Sequence, residues 1–251
     1  MEQRLILSER ERALKILASF RRSLRIGDDD FAATRVAKDT GDPFRVLVVT
    51  ILSQNCTDVA ALRAYYRLDK RVGVTVLQLG KARVRTIENA IHVAGLHKQK
   101  ARALRQLARI IAEKYSGNFK SMLEGPFIEV RDRLQELPNV GPKTADVLLS
   151  ILGQPTISVD THVDRVSKRL GLAPGKARYE QVRSALMQAF SGEEYRVIPM
   201  YFMAFGRQIC KARHPLCPNC LINSLCPYER KTKKDMTLGI YRDPRLLPPH
   251  A

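Results

Sequence analysis

The stretch LPNVGPKTADVLLSILGQPTISVDTHVD, residues 137–164, decides the fold and contains the residues best suited to chemistry. It begins with a tight turn and continues as a helix that starts at Pro142, because proline fits the first helical position. Lys143 falls in the first turn of that helix, where the helix dipole opposes a cation. A lysine there adds little stability but suits a nucleophile, and an ordinary solvated surface lysine is the alternative. Asp160 precedes another predicted helix, and a plain N-cap of that helix is the alternative to a chemical role.

The turn before Pro142 has the features of a phosphate site. A short loop between two helices leaves backbone amides unpaired, and the dipole of the second helix favours an anion beside them. Asn139 tolerates the unusual backbone angles that a tight turn needs. An ordinary helix-hairpin connection would have the same features, so the turn alone leaves both interpretations open.

Helical periodicity continues through most of the chain. A capping box from Ser8 to Glu11 precedes one apolar stripe, and Asp42-Pro43 precedes the apolar run at 46–52. We find no alternating strand pattern and no repeat of solenoid length, so the sequence predicts an all-α fold. Further helices are predicted over 127–137, 143–152, 161–170, 179–190 and 198–207.

The composition favours a polyanionic partner. The formal net charge is +18 and the sequence pI is about 10, which is typical of proteins that bind nucleic acid, with a membrane surface as the alternative. No apolar run approaches the ~20 residues of a membrane-spanning helix. The N-terminus is too charged for a secretory signal. We therefore expect a soluble, intracellular protein without disulfides.

Four of the five cysteines have the spacing C-x6-C-x2-C-x5-C. Four thiolates suit structural zinc or an iron–sulfur cluster, and only one C-x2-C knuckle is present where a zinc ribbon usually pairs two. Lys211, Arg213 and His214 lie between the first two cysteines and would contact phosphates or only solvate the rim of the site. Cys56 is predicted to be a core thiol. The four are Cys210, Cys217, Cys220 and Cys226.

The motifs L-P-x-V-G-x-K-T-A at 137–145 and V-D-T-H-V at 159–163 resemble the helix-hairpin-helix DNA glycosylases, specifically the endonuclease III branch. The resemblance extends over roughly residues 30 to 226. It implies that Lys143 is the nucleophile, that Asp160 is the essential carboxylate and that the four cysteines hold a [4Fe–4S] cluster. The hairpin that would grip phosphate comprises Leu137, Pro138, Asn139, Val140 and Gly141.

The same resemblance implies two segments that enter the duplex. Asn55 falls at the position of a polar plug, with Gln54 beside it, although many relatives carry glutamine at the plug. Leu96 is the candidate apolar wedge, and a core contact is the alternative.

Three other side chains near these motifs have two interpretations each. Lys98 and Lys100 would contact phosphates or form a solvated face. His162 would line the base pocket or act as a structural histidine.

The resemblance implies a base-excision repair enzyme acting on damaged double-stranded DNA. It would remove oxidised or ring-saturated pyrimidines through a lysine Schiff base and then cleave the strand by β-elimination. This chemistry needs a deprotonated lysine, and we expect partial burial of Lys143 to favour that form. The alternatives are a mismatch glycosylase for thymine, uracil or adenine, and a non-catalytic DNA-binding protein containing a cluster.

We expect three regions. Residues 30–155 should form a six-helix bundle with the hairpin, and residues 1–29 should join 156–226 in a lobe that carries the cluster. Residues 227–251 should be a tail. We expect a monomer in the cytoplasm or on the nucleoid, with no membrane partner.

Overall fold

The structure is a computed structural model that describes residues 8–27 and 30–232. Within these residues it contains helices and no β-strand, which confirms the predicted all-α class. Asp28 and Asp29 lie outside the described residues. The helices are α1 Glu9–Ser23, α2 Ala32–Thr40, α3 Pro43–Leu52, α4 Asp58–Arg71, α5 Val76–Lys81, α6 Val84–Ile91, α7 His97–Lys114, α8 Phe119–Met122, α9 Phe127–Gln135, α10 Pro142–Ile151, α11 Thr161–Arg169, α12 Tyr179–Ala189 and α13 Ile198–Gln208.

The described residues divide into two compact units, one within 27–155 and the other of residues 8–26 and 156–232. Each unit has its own apolar core. We call them the hairpin unit and the cysteine unit. The domain boundaries given above stay predictions.

The hairpin unit is organised around α3. Every residue of this helix except Arg45 is buried, as the apolar run at 46–52 predicts. The helix begins at Pro43, and the Asp42 carboxylate caps it by accepting a hydrogen bond from Phe44 N at 2.9 Å. Helices α2, α4 and α10 pack on α3. A helix that is apolar on all sides is buried in the core of its domain. Helix α3 is such a helix, and α10 packs directly against it.

The cysteine unit joins α1 to α11, α12 and α13. The predicted capping box is confirmed, since Ser8 N donates to Glu11 Oε2 at 2.8 Å and Glu11 N donates to Ser8 Oγ at 3.2 Å. Phe20 of α1 packs edge-on against Phe202 of α13, with ring centroids 5.6 Å apart. Aromatic burial therefore ties the N-terminal helix to a segment far along the chain.

The first residues of the predicted tail lie on the cysteine unit. The Tyr228 ring lies 4.7 Å from the Arg169 guanidinium, and Lys231 Nζ donates to Asn223 O at 2.8 Å. Residues 233–251, which make up the remainder of that prediction, lie outside the described residues.

Candidate functional site

The loop between α9 and α10 is a tight hairpin anchored by its apolar side chains. Leu137 and Val140 are buried in the core of the hairpin unit, and Val140 N donates to Leu137 O at 3.1 Å. Asn139 adopts a φ of 61°, the left-handed conformation that asparagine tolerates better than most residues. Pro138 is half-buried and Gly141 is exposed. The hairpin is therefore held by side chains, which leaves its backbone to make other contacts.

The N-terminus of α10 has the backbone groups of an anion site. The first intrahelical bond runs from Ala145 N to Gly141 O at 3.0 Å, so the amides of Gly141, Lys143 and Thr144 lie ahead of it. No side chain caps this helix at Gly141. Amides in this position attract phosphate, and the helix dipole adds to the attraction.

Lys143 is solvent-exposed, so the expected partial burial is wrong. The reason is the phase of the helix. Thr144 and Ala145 face the core of the hairpin unit, which turns the preceding position outward. The Lys143 side chain is therefore accessible to a substrate.

A buried ion pair clamps the two helices of the hairpin together. Arg131 on α9 donates from Nε and Nη2 to the two carboxylate oxygens of Asp146 on α10, both at 2.8 Å. The Asp146 side chain is fully buried and that of Arg131 is 12% exposed. Sequence reasoning missed this pair, although an acidic residue inside the apolar stripe of α10 was a signal, because a buried carboxylate needs a partner.

Gln54 is tied to the hairpin. Its Nε2 donates to Asn139 O at 2.9 Å and to Thr144 Oγ1 at 3.1 Å. Gln99 Nε2 also reaches the hairpin, at 3.3 Å from Asn139 Oδ1. Asn55, the candidate plug, is exposed and has a φ of 55°. The hairpin unit therefore brings the segments of Gln54, Gln99 and Asn139 together on one side.

Leu96 is exposed at the tip of its loop. Its exposed fraction is 53% and its φ is 46°, so the alternative of a core contact is wrong. Lys98, two residues later, is also exposed.

Lys100 differs from both of its predicted roles, because it is 1% exposed. It lies at helical spacing from Leu104, Leu107 and Ile111, on the buried stripe of α7. That periodicity was the signal that it would not be a surface lysine. Its Nζ donates to three backbone carbonyls.

Asp160 caps α11, as the alternative interpretation of this residue predicts. Its Oδ1 accepts from His162 N at 2.9 Å and from Val163 N at 2.7 Å. Both bonds end on the same oxygen, so neither uses Oδ2. A half-buried carboxylate fixed in this way keeps one oxygen for a second partner.

His162 lies in the first turn of α11 and packs against Gly206 of α13. Burial lowers its pKa, the Asp160 carboxylate raises it, and Arg165 and Arg207 lower it. Arg165 Nη2 lies 3.1 Å from His162 Nδ1, which makes Nδ1 the acceptor of a neutral ring. The absence of a side chain at Gly206 leaves space for His162, since a Cβ at position 206 would lie only 3.0 Å from His162 Cβ.

The four cysteines of the C-x6-C-x2-C-x5-C segment line one cavity of the cysteine unit. Burial, together with a smaller effect of the neighbouring thiols, raises the pKa of Cys220 to about 11. Burial also raises the pKa of Cys210, opposed by Arg169 Nη1 at 3.5 Å from its sulfur. Such thiols ionise readily only beside a positive charge such as a metal.

The thiols are not gathered around one point. Among residues 8–27 and 30–232, no three histidine, cysteine or acidic side chains lie close enough to hold a single metal ion. Zinc would draw all four sulfurs to about 2.3 Å from its centre. Four thiols that line one cavity are a donor set that either zinc or an iron–sulfur cluster accepts.

Arg169 fixes the loop that follows Cys210. Its Nη1 donates to Lys211 O at 2.7 Å and its Nη2 to Ala212 O at 3.0 Å. The loop's side chains Lys211, Arg213 and His214 are exposed. Sequence reasoning missed Arg169, because nothing in its local pattern distinguishes it from a surface arginine.

Cys56 lies apart from this cavity, in the hairpin unit. It is half-buried against the core, with Sγ 3.1 Å from Leu52 O, in keeping with its predicted packing role.

In the described residues, none of the helices has the length and apolar character needed to cross a membrane.

Comparison with known proteins places these features in a family. Residues 48–191 match the HhH-GPD superfamily of base excision DNA repair proteins. The chain is 33% identical to endonuclease III of Sulfolobus acidocaldarius over 218 residues, 86% of this chain and 96% of the relative. It is 37% identical to endonuclease III of Escherichia coli K12 over 192 residues, 75% of this chain and 85% of the relative.

A solved structure agrees with the sequence relatives. A trapped endonuclease III–DNA covalent intermediate has a TM-score of 0.68 and 31% identity, covering 89% of this chain and 97% of that one. A thermostable thymine-DNA glycosylase, at 24% identity and a TM-score of 0.66, shares the fold. With its hairpin, its helix-capping aspartate and its cysteine cavity, the chain belongs to the HhH-GPD superfamily of base excision DNA repair proteins, in the endonuclease III branch.

Proposed function

We propose that this protein is a DNA glycosylase and abasic-site lyase that removes oxidised or ring-saturated pyrimidines from damaged duplex DNA. One observation carries the proposal. Lys143 is exposed in the first turn of α10, directly beside backbone amides suited to a phosphate. A nucleophile next to a backbone anchor is what attack on a deoxyribose requires, because the sugar lies between the phosphates.

The reaction begins with attack of Lys143 Nζ on C1′ of the sugar. The bond from C1′ to the base breaks, and the base leaves with the bonding pair and takes up a proton. The attacking amine gives up a proton, for which Asp160 supplies a carboxylate base. Positive charge builds on the sugar as the base leaves, and a carboxylate also stabilises that charge.

The adduct then leads to strand cleavage. Opening of the sugar ring gives an iminium between Nζ and C1′, which acidifies the hydrogen on C2′. Loss of that proton expels the 3′ phosphate oxygen and breaks the strand 3′ to the site. Support comes from the solved relative that was trapped as a covalent intermediate with DNA.

The base must leave the duplex before this chemistry. Extrusion costs a few kcal/mol, and side chains that fill the gap offset it. We propose that Asn55 and Leu96 are those side chains, since both are exposed at loop tips of the hairpin unit. Lys98, Lys211, Arg213 and His214 are exposed and would contact backbone phosphates.

We further propose that Cys210, Cys217, Cys220 and Cys226 hold a [4Fe–4S] cluster. The cluster would supply positive charge that keeps the four thiolates ionised and would hold their loop rigid. Arg169 positions Cys210 and the backbone of the basic loop from the side. Elemental analysis tests this point, because a cluster requires iron and acid-labile sulfide in equal amounts, whereas a zinc site contains neither.

Borohydride trapping on a duplex containing thymine glycol tests the reaction. The native protein should form a covalent adduct with the DNA, and Lys143→Gln should form none. Lys114→Gln is the matched control, because Lys114 is an exposed lysine of the same unit that lies on α7. An adduct that persists in Lys143→Gln, or excision without any adduct in the native protein, would refute the lysine mechanism.

A further inference from the structure

Two exposed loops of the hairpin unit share an unusual backbone. Asn55 has a φ of 55° and Leu96 a φ of 46°, a region that side-chain-bearing residues seldom adopt. For a leucine this conformation is strained, and it persists only where surrounding contacts impose it. The loops are separated in sequence, so a contact between them must hold both.

Lys100 makes that contact. Its Nζ donates to Gln54 O at 2.7 Å, directly before Asn55, and to Ala94 O at 2.8 Å, two residues before Leu96. The third bond goes to Leu52 O, at the end of α3, at 2.7 Å. The backbone amide of Lys100 donates to Leu96 O at 3.0 Å.

These bonds account for a lysine that is 1% exposed. An ammonium group has three hydrogens, and three carbonyl oxygens accept them. Burial lowers the pKa of Lys100, and the carbonyl dipoles compensate for the water that the charged group loses. No carboxylate is among these three acceptors, so the Lys100 ammonium group binds backbone carbonyls and not an acidic side chain.

We propose that Lys100 is a positioning residue that fixes the spacing between the Asn55 loop and the Leu96 loop, so that both side chains enter the duplex together. This inference rests on the proposed function, which assigns base extrusion to these two side chains. Lys100 itself touches no substrate. Gln54 and Gln99, which flank the same loops, extend the connection to the hairpin at Asn139.

Extrusion is the step that should depend on this spacing. Two side chains replace one base in the stack, so an error in their separation removes the benefit of both. Misplacement by about 1 Å can cost about 100-fold in rate. Strand cleavage at an abasic site already lacks the base, and it should depend on the loop spacing less strongly.

Three variants separate positioning from stability. Lys100→Met keeps an unbranched side chain, one atom shorter, and removes the three donors. Lys100→Arg keeps the charge in a planar group that meets three converging carbonyls poorly. Leu107→Ala is the control, because it opens a cavity on the same buried stripe of α7, about two helical turns beyond Lys100.

The experiment measures excision of thymine glycol in single turnover, lyase rate on a preformed abasic duplex, and 2-aminopurine fluorescence beside the lesion. In Lys100→Met, excision should fall by about 100-fold and the fluorescence rise should disappear, with a much smaller loss of lyase rate. Leu107→Ala, below its melting temperature, should keep the native ratio of the two rates. Equal losses of both rates in Lys100→Met, or unchanged excision, would overturn the inference.

Amide hydrogen exchange gives a readout without DNA. Lys100→Met should speed exchange at residues 53–56 and 94–97 together, whereas Leu107→Ala should not. If the native protein excises no lesion, the proposed function fails, and exchange still decides whether Lys100 joins the loops. If Lys100→Met does not fold, Lys100→Arg decides, and native exchange and native excision in that variant would refute the inference.

Discussion

Gln54 Nε2 donates to the Asn139 carbonyl at 2.9 Å, which joins the loop before Asn55 to the turn before α10. The same nitrogen donates to Thr144 Oγ1. The segment proposed to fill the duplex and the segment proposed to hold the backbone are therefore parts of one hydrogen-bonded surface. A substitution in one of these segments should therefore alter the position of the other.

Gln54→Glu should weaken binding to abasic duplex by about tenfold, equivalent to about 1.4 kcal/mol. The carboxylate keeps the shape of the side chain but cannot donate, so it faces the Asn139 carbonyl and leaves that acceptor unpaired. Fluorescence anisotropy measures the affinity. Gln106→Glu, an exposed position on α7, is the control for the added charge. Equal losses in both variants would show that only charge matters.

The fate of individual predictions shows what local sequence determines. Residues with local causes were predicted well: the Ser8 capping box, the start of α10 at Pro142 and the Asp160 cap each depend on neighbours within a few positions. Lys100 was misread and Arg169 was missed. Two of the three carbonyls that Lys100 binds, and both carbonyls that Arg169 binds, lie more than 40 residues away in sequence, and only the folded chain brings them within reach.

The ion pair between Arg131 and Asp146 should contribute strongly to the stability of the hairpin. Asp146→Ala removes one partner of a buried pair and leaves the guanidinium without its bidentate acceptor, which typically costs about 3–5 kcal/mol. Urea unfolding of the variant should show this loss. The double variant Arg131→Met with Asp146→Leu should recover much of the stability, because it removes both charges together. A loss below about 1 kcal/mol for Asp146→Ala would mean that water reaches the pair.

Stability should fall on acidification because of His162. Burial lowers its pKa in the folded state, so below about pH 6.5 the unfolded chain binds a proton that the folded chain resists. The contribution of the neutral ring is therefore complete above that pH and is lost as the pH falls through the unfolded value toward the folded one. Asp160 favours the protonated ring, and Arg165 and Arg207 oppose it.

The His162→Gln variant isolates this term. Urea midpoints of the native protein and the variant, measured from pH 8 down to pH 5, should differ by a constant amount at high pH. The native protein should then lose more stability than the variant as the pH falls. A constant difference over the whole range would exclude His162 as the source.

The two roles of Asp160 can be separated because both capping bonds end on Oδ1. Asp160→Asn keeps an oxygen that caps α11 and removes the negative charge. Its thermal stability should stay near the native value, since asparagine and aspartate cap helices about equally. Its excision rate should fall by about 10²–10⁴-fold, the range for loss of a general base.

Asp160→Ala provides the comparison, because it removes the cap as well and should lower stability by about 1 kcal/mol. Calorimetry measures the stability of both variants, and single-turnover excision measures their activity. An asparagine variant with native activity would assign Asp160 to helix capping alone. An asparagine variant as unstable as the alanine variant would mean that the carboxylate charge, rather than the oxygen, stabilises the start of α11.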